Sequence, residues 1–327
     1  MRLQILSSMQ WKKKMKYKNY QKKLKSLEKE KKFDIDINAG EYLFVQNQEP
    51  NHRYIYNRFF DKVYYIFLRT IIFIFAPIVN FFTYRLKVEG RKNLKDVKKT
   101  GAIVVSNHVA LLDTLMIKQA VFKRIYFIGA EHNNKKGFGG YTIKILGFLP
   151  LSSQFSNQKN LDIAVSYYLT KNKLIHMAPE QAMWRGYKKI RPFKNGAFHY
   201  AVKNNVPVLP MVVLLRKPNK WDKLMGRRFK VTLKILPKVD INNELTNKEK
   251  ILDLKDRVRE SIIKEANEFY GEETDVEKIF WFVLINLKAI RLPFFDFRYY
   301  AKFTLDIDKW EIWCTIFVMK ARNFFSL

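Results

Sequence analysis

The stretch AIVVSNHVALLD, residues 102–113, contains a complete transition from a strand to a helix. Residues 102–105 are apolar and mostly β-branched, which is typical of a strand that is buried on both faces. Ser106 and Asn107 are polar and end this run. His108 follows at once, so it is predicted to lie in the loop between the strand and the next element.

The residues after His108 indicate a helix, because apolar side chains recur at helical spacing from Leu111 to Phe122. Five residues on a continuous helix would turn His108 and Asp113 away from each other. If His108 lies in the loop instead, Asp113 can accept a hydrogen bond from one imidazole nitrogen, which leaves the other nitrogen free to accept a proton. His108 is therefore the candidate general base, and Asp113 is the candidate residue that orients it.

This block resembles the NHxxxxD block of the PlsC-like glycerolipid and lysophospholipid acyltransferases. The likeness extends over residues 87–215 and includes three further blocks in the family's order. These blocks are LGFLPL at residues 146–151, Pro179–Glu180 with the later run FKNGA, and VPVLP at residues 206–210. The spacing of His108 and Asp113 alone is weakly specific, but four blocks in sequence are not.

The resemblance implies an α/β fold, in which a central mixed β-sheet is flanked by helices and preceded by N-terminal membrane-associated helices. It also implies an O-acyltransferase of phospholipid biosynthesis. Such an enzyme moves a fatty acyl group from acyl-CoA or acyl-ACP to a hydroxyl of a lysophospholipid or a related lipid acceptor. The thioester is a co-substrate, and neither a cofactor nor a metal site is expected.

Two of the blocks depart from the family's pattern. Ser153 stands where the second block usually has an Arg that holds the acceptor's phosphate, and Gln181 to Trp184 replace Gly-Thr-Arg-Ser in the third block. Arg185 and Arg191 are the candidates for phosphate binding from a shifted loop. The other possibility is an acceptor without that phosphate, such as a glycolipid.

The predicted substrate-binding residues lie within or just after the third block. Glu180 is expected to hold acceptor hydroxyls. Trp184 either stacks on a sugar or lines an acyl groove, or it fills the core. The full predicted set is Glu180, Gln181, Trp184, Arg185, Arg191, Lys194 and Gly196.

The chain of 327 residues carries 61 Lys and Arg against 30 Asp and Glu, a net charge of +31. Such a charge indicates an anionic partner, which here is expected to be an acidic membrane surface. A nucleic-acid-binding protein and a non-catalytic membrane-surface protein are the alternatives. Nucleic acid is the less favoured partner, since the basic residues form no recognised module.

Four segments are predicted from composition. Residues 1–50 are a basic extension, which is either a solvated tail or a helix on anionic lipid. Residues 51–86 are an apolar, membrane-associated segment, read as an interfacial pair of helices split near Arg69 rather than one spanning helix. Residues 87–271 form the acyltransferase domain, and residues 272–327 are an aromatic-rich extension. The expected location is the cytoplasmic face of a membrane.

Overall fold

The computed structural model describes residues 17–37, 49, 51–134 and 136–279. These residues belong to one compact unit that ends at Ile279. The predicted extension at residues 272–327 lies almost wholly outside the described residues, as do the first 16 residues of the basic segment.

The described residues form a sheet of seven strands with helices on both faces, as expected for the predicted α/β class. The strands are β1 (Lys87–Glu89), β2 (Ala102–Ser106), β3 (Ile125–Gly129), β4 (Phe148–Pro150), β5 (Leu174–Met177), β6 (Val208–Arg216) and β7 (Lys230–Ile235). The helices are α1 (residues 17–29), α2 (Phe59–Tyr84), α3 (Asp113–Val121), α4 (Gly137–Ile145), α5 (Phe155–Thr170), α6 (Gly196–Lys203), α7 (Lys220–Leu224) and α8 (Asn247–Tyr270).

The strand order is β1-β7-β6-β2-β5-β3-β4. The five strands from β6 to β4 are parallel, while β7 runs antiparallel to β6 and pairs with β1 in parallel. The sheet is therefore mixed. In its parallel part the carboxyl ends of β2, β5, β3 and β4 meet at one edge, which is where ligands collect in open α/β sheets.

The two faces of the sheet bury separate apolar clusters. One cluster lies between the sheet and α5, α6 and α8, and the other lies between the sheet and α3 together with the end of α2. All five residues of β2 are buried. The predicted buried strand is thus the centre of the core, and it fixes the position of the residues that follow it.

The helix α2 is one continuous helix of 26 residues, so the predicted split near Arg69 is wrong. Arg69 does not interrupt the helix, because arginine is a good helix former. Its guanidinium donates to the carbonyl of Phe122 at 3.3 Å. Thr70 returns its hydroxyl to the carbonyl of Ile66 within the helix. By length and composition α2 could cross a membrane, and only 11% of its most apolar window is buried.

The strand β1 forms one edge of the sheet. It pairs with β7 in parallel, so β7 lies one strand inside the sheet. Gly90 follows β1 with a φ of +72°, and a Cβ there would lie 2.0 Å from the carbonyl oxygen of Ile235. Only glycine permits this close approach of the two chain segments.

Candidate active site

His108 and Asp113 form a hydrogen-bonded pair at the carboxyl end of β2. The imidazole Nδ1 lies 2.8 Å from Asp113 Oδ2, and the His108 side chain is 30% exposed while that of Asp113 is 3% exposed. His108 lies in the loop, and Asp113 is the first residue of α3. Among the described residues, Nε2 of His108 has no hydrogen-bond partner, so it can accept a proton from a molecule that enters from solvent.

Asp113 also shapes the loop that carries His108. Its Oδ2 accepts the backbone N–H groups of Val109 and Ala110, each at 3.2 Å. Burial raises the pKa of Asp113, whereas the hydrogen bonds from His108 and the two backbone groups oppose that shift. The carboxylate therefore holds the imidazole and the loop backbone with one oxygen, which fixes the orientation and tautomer of His108.

Asn107 anchors the loop to the neighbouring strand. Its side-chain amide donates to the carbonyl of Val213 at 3.0 Å and accepts from the N–H of Val213 at 2.8 Å. Asn107 is 1% exposed, so these bonds replace water for both amide atoms. The polar pair Ser106–Asn107, which ends the strand in sequence, thus also fixes the start of the loop.

Glu180 and Arg191 form an ion pair that is completely buried, with Arg191 Nη2 at 2.7 Å from Glu180 Oε2. The same Glu180 oxygen accepts the backbone N–H of His108 at 3.1 Å, and its other oxygen accepts the N–H of Arg191. The prediction that Glu180 holds acceptor hydroxyls, and that Arg191 binds phosphate, is corrected here. Both side chains lie inside the protein, where they hold the backbone of His108 in place.

Trp184 is also fully buried, so of its three predicted roles the structure agrees with that of a core residue. Its indole Nε1 donates to the carbonyl of Ile35 at 2.9 Å, and its ring packs near Phe33 and Tyr187. The backbone N–H of Trp184 donates to the carbonyl of His108 at 3.0 Å. The loop between β5 and α6, residues 178–195 and here named the Glu180 loop, is therefore bonded directly to the His108 loop.

The remaining predicted residues of this set reach solvent. Arg185 is half-buried. The residues on either side of it, Trp184 and Gly186, donate their backbone N–H groups to the carbonyls of His108 and Val109, so Arg185 lies beside the His108 loop. Gln181 is exposed, and Lys194 is exposed and paired with Asp34 at 3.6 Å. Ser153 is exposed and bonded to Glu131.

An open groove of about 490 Å³ lies beside the carboxyl ends of β4 and β5. Its apolar walls include Leu151, Met177 and Ile251, and the predicted residue Gly196 lines it as well. A Cβ at Gly196 would come within 3.1 Å of the Met177 methyl group. The glycine therefore keeps the end of β5 and the start of α6 close together at this groove.

His176 is a buried residue near the site that sequence reasoning missed. It is 5% exposed on β5, and its Nε2 lies 2.9 Å from the hydroxyl of Ser106. Burial, together with the nearby His108, lowers the pKa of His176 to about 3. The available signal was a histidine inside an otherwise apolar strand, which indicates a buried neutral imidazole as much as a site residue.

We expect His176 to make stability fall with acid. The folded protein keeps His176 neutral down to about pH 3, whereas the unfolded chain takes up the proton near pH 6.5. Above about pH 6.5 His176 is neutral in both states, so it does not lower the free energy of unfolding. As the pH falls below that value, the free energy of unfolding decreases by up to about 1.4 kcal/mol per pH unit. Urea unfolding between pH 7 and pH 4 should show a shallower decline for His176→Gln than for the wild type.

The exposed His199 provides the control for this experiment. His199→Gln makes the same substitution at an exposed position and controls for the change of residue type. Equal slopes for His176→Gln and the wild type would contradict a neutral, buried His176.

The chain is similar to known acyltransferases. The Acyltransferase family model matches residues 85–214. The 1-acyl-sn-glycerol-3-phosphate acyltransferase of Haemophilus influenzae is 26% identical over 207 residues, which are 62% of this chain and 77% of that enzyme. The Escherichia coli enzyme of the same name is 27% identical over 161 residues, 49% of this chain and 65% of its own.

A human relative, 1-acyl-sn-glycerol-3-phosphate acyltransferase alpha, is 27% identical over 192 residues, 56% of this chain and 64% of its own. The crystal structure of the lysophosphatidic acid acyltransferase PlsC from Thermotoga maritima is similar with a TM-score of 0.43 and 23% identity. That likeness covers 74% of this chain and 93% of the other.

Residues 85–214, which contain the His108 loop and the Glu180 loop, thus form an acyltransferase domain. The chain is similar to the PlsC-like acyltransferases, and it is an O-acyltransferase of the glycerolipid and lysophospholipid type.

Proposed function

We propose that this protein transfers a fatty acyl group from an acyl thioester, acyl-CoA or acyl-ACP, to a hydroxyl of a lysophospholipid or a related lipid. The observation that carries the proposal is the pair formed by His108 and Asp113, with Nδ1 bonded to the buried carboxylate and Nε2 without a partner among the described residues. This is the geometry of a histidine whose one free nitrogen serves as a base.

During the reaction, His108 takes up one proton and later releases it. Nε2 takes the proton of the acceptor hydroxyl as the hydroxyl oxygen attacks the thioester carbon. The tetrahedral intermediate then expels the thiolate, which receives the proton from His108, and the ester remains on the acceptor. Asp113 stabilises the charged imidazole during this cycle. The free acceptor hydroxyl stands where a serine protease has its own serine.

The open groove beside β4 and β5 offers a place for an acyl chain. Its apolar walls include Leu151, Met177 and Ile251, and its volume of about 490 Å³ lies in the range of small-molecule sites. It opens at the carboxyl end of the sheet, the edge that also carries His108. This shared edge supports delivery of the thioester carbon to the His108 loop.

We further propose that the protein works on a membrane, at its cytoplasmic face. Support comes from α2, whose exposed side chains include Phe60 at 80%, Ile66 at 62% and Phe73 at 61%. The narrow buried side of α2 packs on α3, where Asn80 donates to Gln119 at 2.7 Å. An apolar face of this size on water is costly, and burial in lipid removes that cost. The net charge of +31 favours an anionic leaflet.

Arg185 is the proposed binding group for an acceptor phosphate. Support comes from burial, because, of the two predicted phosphate-binding residues, Arg191 is fully buried, whereas Arg185 reaches solvent. Its side chain is half-buried, so the solvent-accessible part of the guanidinium carries the charge and the N–H donors that a phosphate oxygen needs.

The proposal is tested with the purified full-length protein in mixed vesicles, one labelled acyl-CoA and two acceptors, lysophosphatidic acid and a monoacylated glycolipid. We expect Arg185→Gln to raise KM for lysophosphatidic acid by about 10- to 100-fold, the value of a lost charged hydrogen bond. The KM for the glycolipid should stay nearly constant. Lys188→Gln, an exposed cation on the same loop, is the matched control.

The outcomes separate the two acceptors. Ester formation on neither acceptor, with acyl-CoA or acyl-ACP, would contradict the proposed function. A preference for lysophosphatidic acid that Arg185→Gln leaves unchanged would contradict the role of Arg185. Transfer to the glycolipid alone would assign an acceptor without the phosphate, as the altered second and third blocks suggest.

A further inference from the structure

The N-terminal segment, residues 17–37 and here named the strap, lies against the Glu180 loop. Leu24 and Leu27 are buried in a cluster with Ala182, Trp184 and Tyr187. The basic residues of α1, such as Lys22 and Lys25, point away from this cluster and are exposed. The apolar face of α1, read from sequence as a tail or a lipid-binding face, is therefore occupied by the protein itself.

Hydrogen bonds join the strap to the backbone of the loop as well as to its side chains. The hydroxyl of Tyr20 accepts the N–H of Arg185 at 2.6 Å. The carbonyls of Ile35 and Phe33 accept from the side chains of Trp184 and Arg191, each at 2.9 Å. Trp184, Arg185 and Arg191 of the loop are thus each held to the strap by one hydrogen bond.

The Glu180 loop in turn holds the His108 loop at three points. Glu180 Oε2 accepts the N–H of His108, and the N–H of Trp184 donates to the carbonyl of His108. The N–H of Gly186 donates to the carbonyl of Val109 at 2.9 Å. A continuous set of contacts therefore runs from the strap, through the Glu180 loop, to the backbone on both sides of the general base.

We propose that the strap is a built-in clamp that positions His108 for catalysis, and that Tyr20, Leu24 and Leu27 are positioning residues. Ala182 and Trp184 are two of the residues that replace the third block's usual pattern. Both belong to the apolar cluster that the loop forms with the strap. The altered block is thereby explained as a docking face for this segment. Loss of the clamp lets the Glu180 loop and the His108 backbone move together, and a shift of about 1 Å costs on the order of 100-fold in rate.

The test compares two charge-matched pairs of substitutions on the same helix of the full-length protein. Leu24→Asp with Leu27→Asp places two carboxylates on the docked face, whereas Asn19→Asp with Ser26→Asp places two on the exposed face. We expect the first pair to lower kcat by about 100-fold with a much smaller change in KM. We expect the second pair to keep the wild-type kcat. Leu24→Met with Leu27→Met should retain most of the activity.

Hydrogen exchange gives a readout that needs no turnover. In the docked-face variant, the amides of Trp184, Arg185 and Gly186 should exchange faster, while those of β6 remain protected. Unchanged exchange in the Glu180 loop, or equal kcat in the two charge-matched pairs, would overturn the clamp. The kcat comparison rests on the proposed function. If the wild type transfers no acyl group, the proposed function is wrong, but hydrogen exchange still tests whether the strap holds the Glu180 loop.

A second inference arises from α7, a five-residue helix after β6. Three of the large apolar side chains at its end are exposed, with Trp221 at 70%, Leu224 at 75% and Met225 at 63%. Lys220 and Lys223 are exposed beside them. An isolated exposed side chain is ordinary, but three within five residues and flanked by lysines match an interfacial lipid anchor.

The helix α7 is joined to the end of α2. Asp222 of α7 is fully buried and pairs with Arg85, the residue that caps α2, and with Arg227 at 3.0 Å. Arg227 also donates to the carbonyl of Phe82 in the last turn of α2 at 2.6 Å. The apolar tip of α7 thus continues the exposed apolar face of α2, whose Phe82 side chain is 58% exposed.

We infer that the tip of α7, formed by Trp221, Leu224 and Met225, inserts into an anionic lipid surface next to α2. The inference rests on the proposed membrane association but not on catalysis. With the full-length protein in phosphatidylcholine and phosphatidylglycerol vesicles, brominated acyl chains should quench the fluorescence of Trp221. The quenching that is due to Trp221 is the difference between the quenching of the wild type and that of Trp221→Phe.

Leu224→Glu with Met225→Glu should reduce the quenching of Trp221, because the charged tip stays in water. No difference in quenching between the wild type and Trp221→Phe would overturn the insertion. Shielding of Trp221 from both bromolipid and acrylamide, with a concentration-dependent rise in mass, would assign the surface to a second copy of the chain instead. Either result is independent of any acyl-transfer assay.

Discussion

His108→Ala is expected to lower kcat by about 100- to 10,000-fold, since removal of a general base typically has that effect. The fold should survive, because the His108 side chain is 30% exposed and contributes little to the core. Acyl transfer is measured in vesicles with the acceptor that the wild type prefers. Thermal unfolding followed by circular dichroism checks that the variant is folded. A folded His108→Ala protein with near-normal turnover would exclude the mechanism.

Asp113→Asn is the companion variant, because it keeps the shape of the side chain and removes its charge. Asp113 Oδ2 accepts the backbone N–H groups of Val109 and Ala110 as well as the hydrogen bond from His108, so the amide oxygen of the variant takes that place. The neutral amide no longer stabilises the charged imidazole that forms when Nε2 takes a proton, and kcat should fall by at least about 100-fold.

The second large effect is expected on stability. Arg191→Met removes one partner of an ion pair whose two side chains are both 0% exposed. Glu180 is then left as a buried charge without its counterion, which costs about 3–5 kcal/mol. Urea unfolding at neutral pH measures the loss. Arg191 also donates to the carbonyls of Phe33 and Ala182, so the strap should loosen as well.

Lys194→Met is the control for this loss. Its ion pair with Asp34 spans 3.6 Å, and both side chains are more than half exposed, so its removal should cost no more than about 1 kcal/mol. Combining Arg191→Met with Glu180→Gln should recover part of the stability, since no bare charge then remains buried. Equal losses for Arg191→Met and Lys194→Met would show that the buried pair does not hold the loop.

The parts of the fold that sequence predicts well are those with strong local patterns. The apolar run at residues 102–105 identifies β2, and the helical spacing after His108 identifies α3. The strand β1 is not visible in this way, because its three residues, Lys87 to Glu89, are strand-like only through their pairing with β7. The sequence predicts a break at Arg69 because this charged residue interrupts an apolar run. The local sequence does not show that the Arg69 side chain bonds to the carbonyl of Phe122, which lies 53 residues later in the chain.

The site shows the same division. The hydrogen bond between His108 and Asp113 follows from their spacing and from the end of the strand, and the structure contains it. Arg191 is bonded to the carbonyl of Phe33 in the strap, 158 residues earlier in the chain. Glu180 is buried in its ion pair with Arg191. A charged Glu and Arg in a loop normally indicate a solvent-facing site. In this protein, tertiary contacts bury the side chains of both Glu180 and Arg191 instead.

Direct attack of the acceptor hydroxyl on the thioester is tested by weighing the protein as well as the products. The purified wild type in vesicles is given acyl-CoA or acyl-ACP, first without and then with the acceptor, and the protein and the products are analysed by mass spectrometry. Catalysis by His108 without a covalent acyl-enzyme predicts a protein of unchanged mass throughout, with one free thiol released per ester once the acceptor is present. An acyl group attached to the protein, or free fatty acid with unmodified acceptor, would contradict it.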